Sequence, residues 1–242
     1  MSNTLYITGA GVSAASGIPT FRGEDGFWRI GSAHYTPMEM ATRAMYQHNP
    51  KEFLAWYYHR FATYRHHGPN DVHHWLSDKN LITQNIDGLD AKAGNNNYIA
   101  IHGRLDLMTE FHNQGEAVTT HPAPWESIDE ENLHASLLTA FAIDGEKPQL
   151  YHSYKPLVLL FDEYYTDLYG ITEAQQRMLS ADKIVFIGTS FSVNITQMAL
   201  EIARSRSIDV EVVDPEPVQV AHAQVTYHRM TALEYVQRMG SR

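Results

Sequence analysis

Cysteine is absent from this 242-residue chain, which excludes disulfides, thiolate nucleophiles and thiolate metal sites together. Any structural zinc would have to be held by histidine and carboxylate. Long apolar runs are missing too: nothing approaches the roughly 20 residues of a membrane-spanning helix, and no basic segment precedes an apolar core at the N-terminus. The expected address is the cytoplasm. Positive charge is scarce, with 18 Lys and Arg against 28 Asp and Glu and a formal net charge of −10. Such a field repels nucleic acid and anionic membrane surfaces, so neither is an expected partner. What is present suits a packed globular protein: 43% hydrophobic and 19% charged residues, in a length that fits one sizeable domain with a small insert.

Short β-rich runs recur at Leu5 to Thr8, Leu81 to Gln84, Tyr98 to Ile101, Leu157 to Phe161, Lys183 to Gly188 and Asp209 to Val213, with Val225 to Tyr227 as an edge strand. Between them, Pro37 to Tyr46, Pro50 to Arg65, Asn70 to Leu76, Ile171 to Ser180, Thr196 to Ser205 and Thr231 to Met239 carry apolar residues at helical spacing. This alternation predicts an α/β fold, a Rossmann-like doubly wound parallel sheet covered on both faces. Two stretches break it: a run of helices from about Ser32 to Asp78, and Arg104 to Lys155, which is polar and without strong periodicity. The expectation is a single domain in which residues of about 1–31, 79–103 and 155–242 form the Rossmann-like lobe, and 32–78 with 104–154 form a smaller, mostly helical one. Ligands of open α/β sheets sit outside the carboxyl ends of the strands.

The first strand runs into Gly9-Ala10-Gly11-Val12-Ser13-Ala14-Ala15-Ser16-Gly17, a glycine-rich turn opening a short helix. Such a turn lets backbone and free N–H groups approach a pyrophosphate, although a tight strand-to-helix connection also forms with no ligand at all. The acidic ribose ligand of a hydride-transferring dehydrogenase has no counterpart about 20 residues on, because Ile18 to Gly26 reads as loop. That loop continues as Gly17-Ile18-Pro19-Thr20-Phe21-Arg22-Gly23. Farther on, Thr83-Gln84-Asn85-Ile86-Asp87-Gly88-Leu89, His102-Gly103 and Gly188-Thr189-Ser190 each leave a predicted strand at its carboxyl end. One rim of the sheet therefore gathers Asn85, Asp87 and His102 opposite the glycine turn.

These separated motifs, in this order over nearly the whole chain, resemble the sirtuin (Sir2) family of NAD-dependent protein deacylases. The resemblance implies NAD consumed as a co-substrate at its nicotinamide–ribose bond, an acyl-lysine protein or peptide as partner, and nicotinamide and O-acyl-ADP-ribose as products. By it, His102 matches the general base that acts on a ribose hydroxyl, and the ordinary imidazole pKa of about 6.5 suits that task. Asn85 matches the second catalytic residue, which positions the nicotinamide ribose. Ile86 and Asp87 match the nicotinamide-binding pair. Phe21 and Arg22 match loop residues that steady the cofactor, and Gly9, Ala10 and Gly11 match the phosphate turn. Gln84, Gly188, Thr189, Ser190 and Asp214 complete the implied cofactor wall, Asp214 standing where the family usually has Asn. Leu159 and Phe161 are implied to line the peptide channel.

A second layer concerns the acyl group. Asn49-Pro50 opens a helix with Tyr57 and Arg60 three residues apart on one face, a guanidinium and a phenol apt for a carboxylate on the acyl tail. The resemblance is to the branch that removes succinyl, malonyl and glutaryl groups, although the pair could equally lie on a solvated helix face, and Tyr58 and Arg65 stand close by. Two departures matter. The family's zinc-ribbon cysteines are missing, and His112, His121, His134 and His152 lack paired ligand spacing, so no metal is expected; Leu133, Leu137, Leu138 and Phe141 are expected to hold the insert instead. The cluster His66, His67, His73 and His74 reads as polar helix surface. The family's Phe-Gly-Glu after the substrate-pairing strand is Phe161-Asp162-Glu163, which adds a charge beside the channel. Two competing readings use the same fold: an NAD glycohydrolase or ADP-ribosyltransferase, which needs Asn85, Asp87 and His102 but no acyl tunnel, and a catalytically idle NAD-binding module.

Overall fold

A computed structural model describes residues 3–20 and 35–240. Nine strands are assigned among them: β1 (Thr4–Thr8), β2 (Asn80–Thr83), β3 (Tyr98–Ala100), β4 (Gly103–Glu110), β5 (Thr120–Pro122), β6 (Tyr154–Val158), β7 (Lys183–Ile187), β8 (Asp209–Val213) and β9 (Val225–His228). The helices are α1 (Pro37–Met40), α2 (Arg43–His48), α3 (Pro50–Tyr64), α4 (Asp71–Leu76), α5 (Leu89–Lys92), α6 (Leu133–Ala140), α7 (Ile171–Ser180), α8 (Asn194–Arg206) and α9 (Ala232–Gly240). None of the described helices is long and apolar enough to cross a membrane.

Six strands form one sheet in the order β3-β2-β1-β7-β8-β9, and every neighbouring pair is parallel. The chain winds outward from β1 in one direction and from β7 in the other, so the crevice where the order reverses lies between the carboxyl ends of β1 and β7. The pleat sorts each strand between two cores: Leu5, Ile7, Ile82, Ile184, Phe186, Val210 and Val212 face α7 and α8. Tyr6, Leu81, Val185, Ile187 and Val213 face α4 and α9. Both faces are thus buried, which is why the strands read as nearly continuous apolar runs.

The third core belongs to the insert, whose helices are joined by a sheet that the sequence does not suggest. A small antiparallel sheet, β5-β4-β6, packs against α2, α3 and α6. The run expected as a fourth parallel strand at Leu157 to Phe161 is instead β6, shifted toward the N-terminus and paired antiparallel with β4. β4 escapes periodicity because its register slips between Arg104 and Met108 and one of its faces stays half-exposed. The helix expected over Pro37 to Tyr46 is broken in two, for Thr42 accepts the Met45 N–H and caps a new start, after Thr36 and Glu39 have closed a capping box around α1. Asn49 caps α3, with Pro50 at its first position.

Trp125, not among the leucines expected to hold the insert, is its centre. It is buried between Phe61 and Phe141, and its Nε1 donates to the Leu105 carbonyl at 2.6 Å. Leu137 and Phe141 are fully buried beside it, while Leu133 and Leu138 pack on its edge.

Candidate active site

The glycine turn is shaped first by packing. A Cβ on Gly9 would stand 2.7 Å from the Gly188 carbonyl oxygen, and one on Gly11 only 2.5 Å from the Gly188 Cα. Gly188 itself has a φ of 62°, in the left-handed region. Three glycines therefore let the exits of β1 and β7 close on one another at the switch point, joined by the Gly11 N–H to Gly188 carbonyl bond of 2.9 Å. Two short 3₁₀ turns follow, Ala10–Val12 and Ala14–Ser16, and the N–H groups of Ala10, Ala14 and Ala15 take no part in the backbone bonds of this loop. Those amides are donors available to an anion such as a diphosphate. Phe21 and Arg22 lie outside the described residues.

At the end of β2 the Gln84 side chain donates to the Thr8 carbonyl at 3.0 Å and to Thr189 Oγ1 at 3.1 Å, so it bridges the exits of β1 and β7. Asn85 is buried and its Nδ2 donates to the Gly9 carbonyl at 3.1 Å. The Ile86 carbonyl accepts the Leu105 N–H, tying this rim to the small sheet. Asp87 accepts the Leu89 N–H on Oδ1 at 2.9 Å and the Ser13 hydroxyl on Oδ2 at 2.6 Å. Ser190 shares a 2.6 Å hydroxyl contact with Ser192, and Asp214, leaving β8 on the same rim, caps the Glu216 N–H.

Nothing in the sequence marks Ser13 and His73 as site residues. Ser13 is buried, and besides Asp87 it meets Asn85 Nδ2 at 3.3 Å and His73 Nε2 at 3.4 Å. His73 is fully buried rather than part of a polar helix surface. Its Nδ1 accepts the Asn70 N–H, so in the neutral ring Nε2 carries the proton and donates to Ser13. Burial holds its pKa below the usual value, against the pull of Asp87. A histidine in that tautomer cannot take the Ser13 proton, and Ser13 already gives it to Asp87. The trio is thus a clamp on Asp87 and Asn85, not a nucleophilic serine site. Asp90, one turn on, is buried with Oδ1 unpartnered, and burial followed by repulsion from Asp87 raises its pKa to about 7.

His102 closes β3 and is held from two sides. Nδ1 stands 2.9 Å from the Gln84 carbonyl and Nε2 stands 3.0 Å from the Tyr165 hydroxyl. A carbonyl only accepts, so Nδ1 bears the proton and Nε2 keeps its lone pair. Burial lowers the His102 pKa to about 4, so the ring is neutral at physiological pH. The next residue, Gly103, has a φ of 82°, and a Cβ there would lie 1.9 Å from the Leu157 carbonyl oxygen. Only glycine permits the chain to pass from the large sheet into β4 at that point. The Leu159 N–H then returns to the His102 carbonyl at 3.0 Å.

Of the acyl-pocket pair, Tyr57 is fully buried between Phe53 and Trp56, and its hydroxyl has no hydrogen-bond partner among the described residues. Arg60 stacks its guanidinium 3.3 Å over the Trp56 ring and donates to the Trp56 carbonyl. It lies within electrostatic reach of Tyr57, and desolvation lowers its pKa to about 10. The rival Tyr58 is engaged by Glu130 at 2.7 Å. Phe161 is 47% exposed. Asp162, where the resemblance expects glycine, turns its carboxylate onto the start of α2, accepting the Arg43 and Ala44 N–H groups at 2.6 and 3.0 Å. Its charge is therefore taken up by a helix start. Glu163 joins a buried cluster with Lys155 and Arg43 at 3.3 and 3.2 Å. Among the described residues, no three His, Asp or Glu side chains converge as a metal site.

A model described as the Sir2 family matches residues 9–195. The chain is 31% identical over 242 residues to NAD-dependent protein deacylase 1 of Caldanaerobacter subterraneus subsp. tengcongensis, covering 97% of this chain and 91% of that protein. It is 31% identical over 223 residues to the NAD-dependent protein deacylase of Thermus thermophilus, covering 87% and 78%. Among solved structures it is similar to a mutant Sir2 homologue in complex with ADP-ribose, with a TM-score of 0.75, 25% identity and coverage of 98% and 90%. A Sir2 homologue in complex with NAD gives a TM-score of 0.73 at 26% identity, covering 98% and 88%.

Proposed function

Because the chain belongs to the Sir2 family, we propose that it is an NAD-dependent protein-lysine deacylase that favours acidic acyl groups, succinyl, malonyl or glutaryl. The observation that carries the reading is His102: at the carboxyl rim beside Asn85 and Asp87 its imidazole is neutral with the lone pair on Nε2, the form a general base needs, although burial makes it a weaker base than the ordinary value near 6.5 would. The residues present suit NAD. The free amides of the glycine turn offer donors to a diphosphate at the switch point, and Asn85 and Asp87, clamped by Ser13, offer fixed polar groups to the nicotinamide end. When bound, NAD supplies the nicotinamide–ribose bond that breaks and the ribose that ends as O-acyl-ADP-ribose.

The acyl preference rests on Tyr57 and Arg60. A buried hydroxyl without a partner is unfavourable by roughly 1–3 kcal/mol, and a carboxylate arriving beside it would accept its hydrogen bond while meeting the Arg60 guanidinium. The methyl end of an acetyl group could do neither.

The test is to incubate the enzyme with NAD alone, with an acetyl-lysine peptide and with a succinyl-lysine peptide, following nicotinamide and O-acyl-ADP-ribose by mass spectrometry. Succinyl-dependent product is expected, and Arg60→Met should raise the KM for the succinyl peptide by about 10- to 100-fold, the loss of a charge-assisted bond. An equal effect on the acetyl peptide removes Arg60 from the pocket. Nicotinamide and free ADP-ribose at the same level in all three tubes would make the protein an NAD hydrolase.

A further inference from the structure

His102 Nε2, the atom that must receive a proton in the proposed reaction, already faces a hydroxyl. Tyr165 Oη stands 3.0 Å from it, and the two rings lie nearly parallel, 24° apart with centroids at 6.0 Å. Since Nδ1 is committed to the Gln84 carbonyl, the hydroxyl proton of Tyr165 points at Nε2. As it donates to Nε2, the hydroxyl oxygen keeps lone pairs of its own, so one remains for a further donor.

We infer that Tyr165 is the relay through which His102 takes up the proton of the hydroxyl it activates. In the step, a substrate hydroxyl donates to the remaining lone pair of Tyr165 Oη. Its proton passes to Oη as the Tyr165 proton passes to His102 Nε2. The O–H electron pair stays on the substrate oxygen for attack on the acyl carbon, His102 becomes imidazolium, and Tyr165 ends as the neutral phenol it was. No tyrosinate forms, which agrees with a phenol whose burial pushes its pKa up to about 12. Among the described residues, His102 is faced by the Gln84 carbonyl from the end of β2 and by Tyr165 from the segment after β6; its low pKa comes from burial, opposed by the Gln84 bond, with no charged side chain contributing.

The inference rests on the deacylase reading, and its test separates the two. The full-length protein and Tyr165→Phe are compared in three measurements: the NMR titration midpoint of the His102 imidazole in the free protein, NAD affinity by calorimetry, and the single-turnover rate of O-acyl-ADP-ribose formation. A donor to Nε2 favours the neutral ring, so its removal should move the midpoint upward by about one pH unit. The rate should fall at least about tenfold, with NAD affinity unchanged within about twofold. The wild-type rate measured across mixtures of H2O and D2O should show two protons in flight, a readout that needs no variant. A one-proton dependence, or a wild-type rate in Tyr165→Phe even with a shifted midpoint, overturns the relay. If the wild-type enzyme forms no acyl-dependent product, the deacylase reading fails, and the midpoint alone still decides whether Tyr165 holds the proton at Nε2.

Discussion

The large sheet and the small one stabilise themselves by different means. The parallel sheet is buried on both faces by aliphatic side chains, and its polar groups gather at the strand exits. The small sheet has a core of aromatic rings around Trp125, a buried Lys155–Glu163–Arg43 cluster and an aspartate capping α2 from 119 residues away. Where a metal ribbon could have tied the insert together, large rings and individually placed polar bonds do so. Such an architecture concentrates stability in few side chains, whereas the parallel sheet spreads it over many.

That contrast can be broken first at Trp125. Trp125→Ala removes the centre of the ring cluster and the 2.6 Å bond to Leu105, and should destabilise the protein by about 3–5 kcal/mol in denaturant titrations. A loss below about 1 kcal/mol would show that the insert does not depend on one anchor.

The rim of the large sheet offers the next test. The pKa of Asp90 is raised to about 7 from an unfolded value near 4, so proton binding favours the fold. Its contribution is fully in place below about pH 4 and is lost as pH rises through about 7. Asp90→Asn, neutral throughout, should therefore gain on the wild type between pH 4 and pH 8 by up to about 4 kcal/mol, read as a pH-dependent difference in Tm. A constant difference would mean that Asp90 does not titrate in that interval.

The smallest effect is expected at the joint between the two regions. Asp162→Ala removes the carboxylate that accepts the first two amides of α2, leaving the Thr42 cap in place, and should lower stability by about 1 kcal/mol while leaving NAD affinity unchanged, as calorimetry would report. A large loss of NAD affinity would tie this joint to the cofactor rim instead.

The same contrast governs how much could be read from sequence. Parallel strands such as Leu5 to Thr8 and Lys183 to Gly188 are short apolar runs ending in glycine, and the exits of the neighbouring strands β2 and β3 carry Asn85, Asp87 and His102, so strand, rim and candidate residues are legible together. β4 was not, because a register slip and a half-exposed face blur its alternation. Ser13 looks like an ordinary residue of a glycine turn, and His73 like one more histidine in a polar tract; only their meeting at 3.4 Å across 60 residues gives them a role. Tyr165 lies 63 residues from His102, and nothing in local spacing predicts that contact. Trp125 likewise sits in a polar stretch whose partners come from α3 and α6.

The passage through Gly103 has a mechanical consequence. The main chain of His102 is the last residue before the small sheet, its carbonyl holds the Leu159 N–H of the returning segment, and its ring is tethered to β2 through Gln84. The residue is thus shared by both sheets: the backbone path that only Gly103 permits also fixes where the imidazole sits on the larger one.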